Sequence, residues 1–221
     1  MKPYYDYAGI TIYHGDCREV LPTLGKFDLL LTDPPYEVEA RGGAIGSRRK
    51  YLADIHQHID SGFDINMVDQ FPNWIVFCAK KQLVRLLQKA EKKVWSLVTW
   101  NKPNPTPLYE GTYLPDTEYI IHAYSSGMLF GDYKDKSRFI VHRSVRNNFN
   151  HPTVKPLAVI IKMMKLGSQK NHAILDPFMG SGTTLRAAKD LGRKAVGIEI
   201  EEKYCEIAAQ RLSQEVMELG V

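Results

Sequence analysis

The tetrapeptide Asp33-Pro34-Pro35-Tyr36 brings together a carboxylate, two peptide units without donors and an aromatic ring. Two successive prolines fix φ at about −65° and remove two amide donors. The peptide carbonyls are then held as a rigid set of acceptors beside the Asp33 carboxylate. That arrangement suits an amino group that must donate two hydrogen bonds in fixed directions, and Tyr36 offers a flat face on which a base can stack. The same four residues also describe a proline-stiffened strand exit with a packed tyrosine.

A second constellation begins at Asp176 and runs through Pro177-Phe178-Met179-Gly180-Ser181-Gly182-Thr183-Thr184. Gly180 and Gly182 permit a tight turn and close ligand approach, and such a loop aims backbone amides at whatever docks there. Leu185 occupies the position where a dinucleotide-binding loop has its third small residue, and no Gly-Lys-Ser/Thr follows, so a phosphate ligand is not indicated. Glu199 lies 17 positions after Gly182, near the offset of about 20 at which a carboxylate accepts from ribose hydroxyls. Asp176 can receive a cationic amino group. Together these residues describe a cofactor with a ribose, an ammonium and no phosphate. The plainer alternative is an ordinary βαβ unit with a solvent-facing Glu199, which the combined spacing disfavours.

The elements that must position these groups can be read from periodicity. Apolar runs rich in β-formers recur at Ile10–Tyr13, Phe27–Thr32, Trp74–Ala79, Val94–Trp100, Tyr119–Ala123, Ala173–Asp176 and Ala195–Ile200. Helical patterns fall at Ile65–Phe71, Lys81–Lys92, Leu157–Leu166, Thr183–Leu191 and Glu202–Met217. The alternation predicts an α/β fold with a mainly parallel, doubly wound sheet and helices on both faces. Ligands of such sheets bind beyond the carboxyl ends of strands, where Asp33, Asp176 and Glu199 all fall. Glu37–Asp64, Gly-rich and basic, and Asn101–Pro115, with Pro103, Pro105, Pro107 and Pro115, interrupt the rhythm and read as loops or a small insertion.

A length of 221 residues suits one such domain with a modest insertion, and 44% hydrophobic with 24% charged residues is ordinary for a soluble globular chain. No apolar run is long enough to span a membrane, and the N-terminus lacks the apolar core of a secretion signal. Cys17, Cys78 and Cys205 are odd in number and far apart, which argues against a disulfide framework or a cysteine zinc site and for a reducing cytoplasm. No metal site is expected. The net charge is only +4, but its distribution is uneven. Arg41, Arg48, Arg49 and Lys50 make a local +4, and Lys134, Lys136, Arg138, Arg143, Arg146 and Lys155, opposed by Asp135, make a local +5. Such runs are either solvated loops or a phosphate-backbone footprint.

In the order Asp33-Pro34-Pro35-Tyr36, Trp100-Asn101-Lys102-Pro103, His151-Pro152-Thr153-Val154-Lys155-Pro156, Asp176–Thr184 and Gly197-Ile198-Glu199, the chain resembles the S-adenosylmethionine-dependent DNA amino-methyltransferases. The catalytic motif precedes the cofactor loop, as in the permuted β class of that family. The resemblance implies a single Rossmann-like methyltransferase domain over residues 1–221, with a small target-recognition region at 103–150 and a flexible basic loop region at 37–64. It implies that Asp33 and the Pro34 carbonyl hold the exocyclic amine of a flipped-out base, that Pro35 stiffens the motif, and that Tyr36 stacks on the base. Methyl transfer would be direct and in line, requiring no nucleophilic cysteine.

The same resemblance implies an S-adenosylmethionine pocket formed by Asp33, Asp176, Phe178, Gly180, Ser181, Gly182 and Thr183, with Glu199 on the ribose. Asp16 and Cys17 match the adenine-contacting position, although Asp16 could equally cap a helix. Thr153 and Lys155 would face the methionine carboxylate, with Lys155 alternatively a DNA contact. Arg41, Arg48, Arg49, Lys50, Lys102, Arg143 and Arg146 would contact DNA phosphates. An acidic first residue in the tetrapeptide resembles adenine-N6 members, whereas cytosine-N4 members more often have Ser. The small recognition region implies a short target sequence, or a second subunit, such as a homodimer partner, that helps to hold the DNA. DNA is the implied partner, a membrane is not, and the sequence names no restriction endonuclease. Methylation of RNA, protein or a small molecule, a non-catalytic DNA-binding subunit and a nicotinamide oxidoreductase are the rival readings; the acidic tetrapeptide with two basic loops counts against protein, the intact motifs against the subunit and Leu185 against the oxidoreductase.

Overall fold

The computed structural model describes residues 1–35, 63–105, 113–145 and 154–214. In chain order these form β1 (Tyr5–Tyr7), β2 (Ile10–His14), α1 (Cys17–Val20), β3 (Leu29–Thr32), β4 (Asn73–Cys78), α2 (Lys80–Ala90), β5 (Val94–Asn101), β6 (Thr117–Tyr124), β7 (Phe139–Val141), α3 (Leu157–Gly167), β8 (Ala173–Asp176), α4 (Thr183–Asp190), β9 (Lys194–Glu199) and α5 (Glu202–Ser213). The strands make one sheet in the order β1-β2-β9-β8-β3-β4-β6-β5-β7. Pairing is parallel from β2 through β4, and β6 runs antiparallel between β4 and β5.

The alternation of side chains along a strand sorts the apolar residues onto two faces. Leu29, Leu31, Ile75, Phe77 and Ile120 meet Ile160, Met163 and Met164 of α3, Leu185 and Ala188 of α4, and Ala208 and Leu212 of α5. On the other face, Leu30, Trp74, Val76, Ile121 and Leu175 meet Val20 of α1, Leu86 and Ala90 of α2, and Ile65, Met67 and Val68. The doubly wound sheet is therefore covered on both faces, as the periodicity predicts, with β6 reversed.

Three details depart from the sequence reading. The pattern at Ile65–Phe71 is a 3₁₀ turn, Ile65–Gln70, whose first turn is capped by the Asp64 carboxylate. The strand expected from Phe27 starts at Leu29, because the preceding Asp28 pairs through both its amide and its carboxylate with Ala173. The edge strands β1 and β7 have three residues each, too few for a periodic signal.

The crossover geometry places the site. From β8 the chain continues through α4 to β9 on one side, whereas the strand following β3 is β4 on the other. The adjacent pair β8 and β3 therefore forms the topological switch point, where a crevice opens beyond the strand ends.

Candidate active site

Asp176 ends β8 and Asp33 follows β3, so the two carboxylates flank the switch point. Asp176 is only 3% exposed. Its Oδ1 accepts from the Thr32 hydroxyl at 2.7 Å and from the Phe178 amide at 3.2 Å. Burial pushes its carboxyl up to about 6, against the hydrogen bonds from Thr184, Thr32 and Phe178. An acid in that setting is poised to ionise when a cation arrives beside it.

The loop after Asp176 is held from behind. Gly182, with φ of 77°, starts α4 in the left-handed region, and a Cβ there would lie 2.8 Å from the Cβ of Ala208. The Arg211 guanidinium of α5 donates to the Ser181 carbonyl, to the Ser181 hydroxyl at 2.9 Å and to the Thr183 hydroxyl at 3.4 Å. Ser181 and Thr183 thus serve the loop's shape through Arg211. At the next strand end, Glu199 accepts from the Gly180 amide at 3.0 Å and from the Glu201 amide at 2.9 Å. Burial raises the Glu199 pKa above the ordinary glutamate value, opposed by those two amides. The carboxylate is held in one orientation by backbone, and each oxygen keeps a second lone-pair direction.

On the other side of the switch point, the Pro35 carbonyl accepts from the side chain of Gln82 at 2.9 Å. Gln82 stands in the first turn of α2, is 2% exposed, and also accepts from the Ala79 amide at 3.1 Å. It ties the exit of the proline motif to the start of a helix. The Asp33 carboxylate meets Lys155 at 2.5 Å. Lys155 is 7% exposed, lies 5.5 Å from the Phe77 ring centroid, and contacts Glu118 at 3.2 Å. Glu118 in turn meets Lys102 at 2.5 Å. Burial alone would lower the Lys155 pKa, but Asp33 and Glu118 reverse that and raise it. Burial would likewise raise Glu118, yet Lys155 and Lys102 bring it below the ordinary value.

The structure therefore gathers Asp33, Pro34, Pro35, Lys155, Asp176, Phe178, Gly180, Ser181, Gly182, Thr183 and Glu199 at one sheet edge. Asp16 caps α1, accepting from the Arg18 amide at 2.9 Å and pairing with the Arg18 side chain. Cys17 is buried behind it, its thiol pushed up to about 11. Burial likewise raises Cys78 and Cys205 to about 12, so all three thiols stay protonated near neutrality. Lys102, read from sequence as a phosphate contact, directs its ammonium to Glu118 and is 16% exposed. Arg143 is exposed, in the irregular segment after β7, at the same sheet edge. Tyr36, Arg41, Arg48, Arg49, Lys50, Arg146 and Thr153 lie outside the described residues. Gln82, Glu118 and Arg211 were not foreseen as site residues; the only trace of Gln82 was a polar residue in the first turn of an otherwise apolar-faced helix.

Acids at three neighbouring strand ends, across the switch point of a doubly wound sheet, define an α/β enzyme built for a nucleoside-bearing cofactor. The chain belongs to the DNA methylase family N6_N4_Mtase, whose sequence pattern matches residues 27–210. It is similar to the type II methyltransferase M.HinfI of Haemophilus influenzae, with 27% identity over 92% of this chain and 68% of that one. The type II methyltransferase M2.LlaDCHI of Lactococcus lactis subsp. cremoris is 28% identical over 96% of this chain and 93% of its own. Among solved structures, the M1.HpyAVI–SAM complex superposes with a TM-score of 0.69 at 28% identity, covering 93% of this chain and all of that one. The cytosine-N4-specific PvuII DNA methyltransferase shares the fold, with a TM-score of 0.71 at 15% identity over 98% of this chain and 91% of that one.

Proposed function

We propose that the protein transfers a methyl group from S-adenosylmethionine to the exocyclic N6 amine of an adenine flipped out of DNA. The observation that carries this reading is the juxtaposition of Asp33 with Asp176 across the switch point, with Glu199 one strand further on. The donor set fits the cofactor. Glu199 offers oriented lone pairs to two ribose hydroxyls, and Asp176 offers a buried acid to the methionine end. When bound, S-adenosylmethionine supplies an electrophilic methyl on a sulfonium.

Asp33 and the Pro34 carbonyl accept hydrogen bonds from the two amine N–H groups, which turns the nitrogen lone pair out of the ring plane and toward the donor. The Asp33 charge offsets the positive charge that builds on nitrogen as the nitrogen–carbon bond forms and the carbon–sulfur bond breaks. Asp33 then takes the proton that the methylated amine sheds. Gln82 keeps the proline motif rigid by holding the Pro35 carbonyl. Tyr36 stacks on the base. The acidic first residue of the tetrapeptide supports adenine over cytosine. Cofactor contacts are further assigned to Phe178, Gly180 and Gly182, with Ser181 and Thr183 shaping the loop.

Phosphate contacts are assigned to Arg41, Arg48, Arg49, Lys50, Arg143 and Arg146, and residues 103–150 to target recognition within one catalytic domain. A reducing, cytoplasmic setting is assigned on the three free cysteines. No described helix is long and apolar enough to cross a membrane. The test is transfer of labelled methyl to DNA, RNA and protein in parallel, with D33A as control. Labelling of DNA by the wild type and none by D33A is expected. DNA labelling undiminished in D33A, or label confined to RNA or protein, would overturn the reading.

A further inference from the structure

Lys102, Glu118, Lys155 and Asp33 form an alternating chain of charges, with contacts of 2.5 Å, 3.2 Å and 2.5 Å. Sheet register explains how it arises. Glu118 of β6 stands opposite Trp100 of β5, and its neighbour Tyr119 stands opposite Cys78 of β4. Glu118 therefore reaches the same sheet edge as Asp33, although it enters from the reversed strand. Lys102 and Glu118 also flank positions 103–117, and the Lys102 amide donates to the Asp116 carbonyl. Lys155 precedes α3 and turns its ammonium over Phe77 toward both carboxylates.

Resting on the assignment of Asp33 as the amine acceptor, we infer that Glu118 is a positioning residue for methyl transfer, acting on Asp33 through Lys155. An ammonium bound only to Asp33 would withdraw negative charge just where the reacting amine needs it. Glu118 shares that ammonium at 3.2 Å, so Lys155 orients Asp33 without cancelling its charge. Lys102 sets how much of Glu118 is available to do so. The Asp33 and Glu118 oxygens lie within about 6 Å of each other, close enough for each charge to act on the other. Among the described residues, the other titratable groups coupled to Asp33 are Asp176, which senses it across the switch point, and the Cys78 thiol of β4, which stays protonated.

The inference predicts opposite responses from two substitutions in one chain of contacts. In E118Q, Lys155 loses one carboxylate and bears more strongly on Asp33. The single-turnover methylation rate should fall about tenfold, and both limbs of its pH profile should slide downward by about one unit. In K102M, Glu118 draws more strongly on Lys155, and both limbs should slide upward. S-adenosylmethionine affinity should stay within about twofold of wild type in both variants. A role confined to holding the fold would lower rates at every pH without moving the limbs, and that result, or limbs that move the same way in both variants, overturns the inference. If E118Q does not fold, the upward slide in K102M decides alone. D33A separates the two levels: activity in D33A defeats the proposed function, whereas an inactive D33A with unmoved limbs in E118Q and K102M defeats only this inference.

Discussion

Lowering the pH from about 7.5 to about 5 protonates Asp176 in the unliganded protein, because its pKa is raised to about 6. A cation seated beside this carboxylate should bring the value down by roughly two units, the usual effect of an opposite charge at about 4–6 Å. The bound state would then be ionised where the free state is not, and binding must expel the proton. With pKa values of about 6 free and about 4 bound, affinity for S-adenosylmethionine should be about tenfold weaker at about pH 5 than at about pH 7.5. That is about 1.4 kcal/mol, and close to one proton should be released per site at about pH 5. Isothermal titration calorimetry in two buffers of different ionisation enthalpy reads both quantities. D176N should bind more weakly at every pH and lose this release, while E199Q, whose carboxyl is also raised by burial, separates the contribution of Glu199. Wild-type affinity that is flat across this range, with no buffer-dependent heat, would refute the reasoning.

Other consequences are equally direct. G182A places a Cβ in the left-handed region and 2.8 Å from the Ala208 Cβ, so it should cost about 2 kcal/mol in denaturant unfolding, with A208G restoring part of the loss. Q82A leaves the Pro35 carbonyl and Ala79 amide without their buried partner; kcat should fall while cofactor affinity holds, read by steady-state kinetics alongside cofactor titration. His122, held by Asn73 at 2.9 Å and lowered from 6.5 to about 4 by burial, must charge on acid unfolding. Its contribution is intact above about pH 6.5 and is lost as pH falls through about 4, roughly 3 kcal/mol in all. Asp176, being raised, works in the opposite sense and stabilises the fold as pH falls below about 6, so the net acid loss should be steeper in D176N and shallower in H122Q by urea midpoint.

The strand-end acids were legible because each motif is continuous in sequence. Asp33 adjoins its strand and prolines, Asp176 its glycine loop, and Glu199 the next strand at a fixed offset. What supports them was not legible, because it arrives from far along the chain. Lys155 reaches Asp33 over 122 positions and Gln82 reaches Pro35 over 47. The reversal of β6 is invisible to periodicity, since parallel and antiparallel strands share a repeat of two, yet it brings Glu118 to the site. Lys102 shows the same limit from the other side. Named from the resemblance as a phosphate contact, it pairs with Glu118, a partner that β6 brings from further along the chain. For Asp16 the alternatives weighed from sequence included the helix cap that the structure shows.

Identification of the modified nucleoside tests the central claim most directly. Unmethylated DNA incubated with the protein and isotopically labelled S-adenosylmethionine, then digested and resolved by chromatography with mass detection, should yield labelled N6-methyldeoxyadenosine. The D33A protein should yield none. Labelled N4-methyldeoxycytidine in place of the adenine product, or wild-type DNA that carries no label while the cofactor binds, would contradict the account.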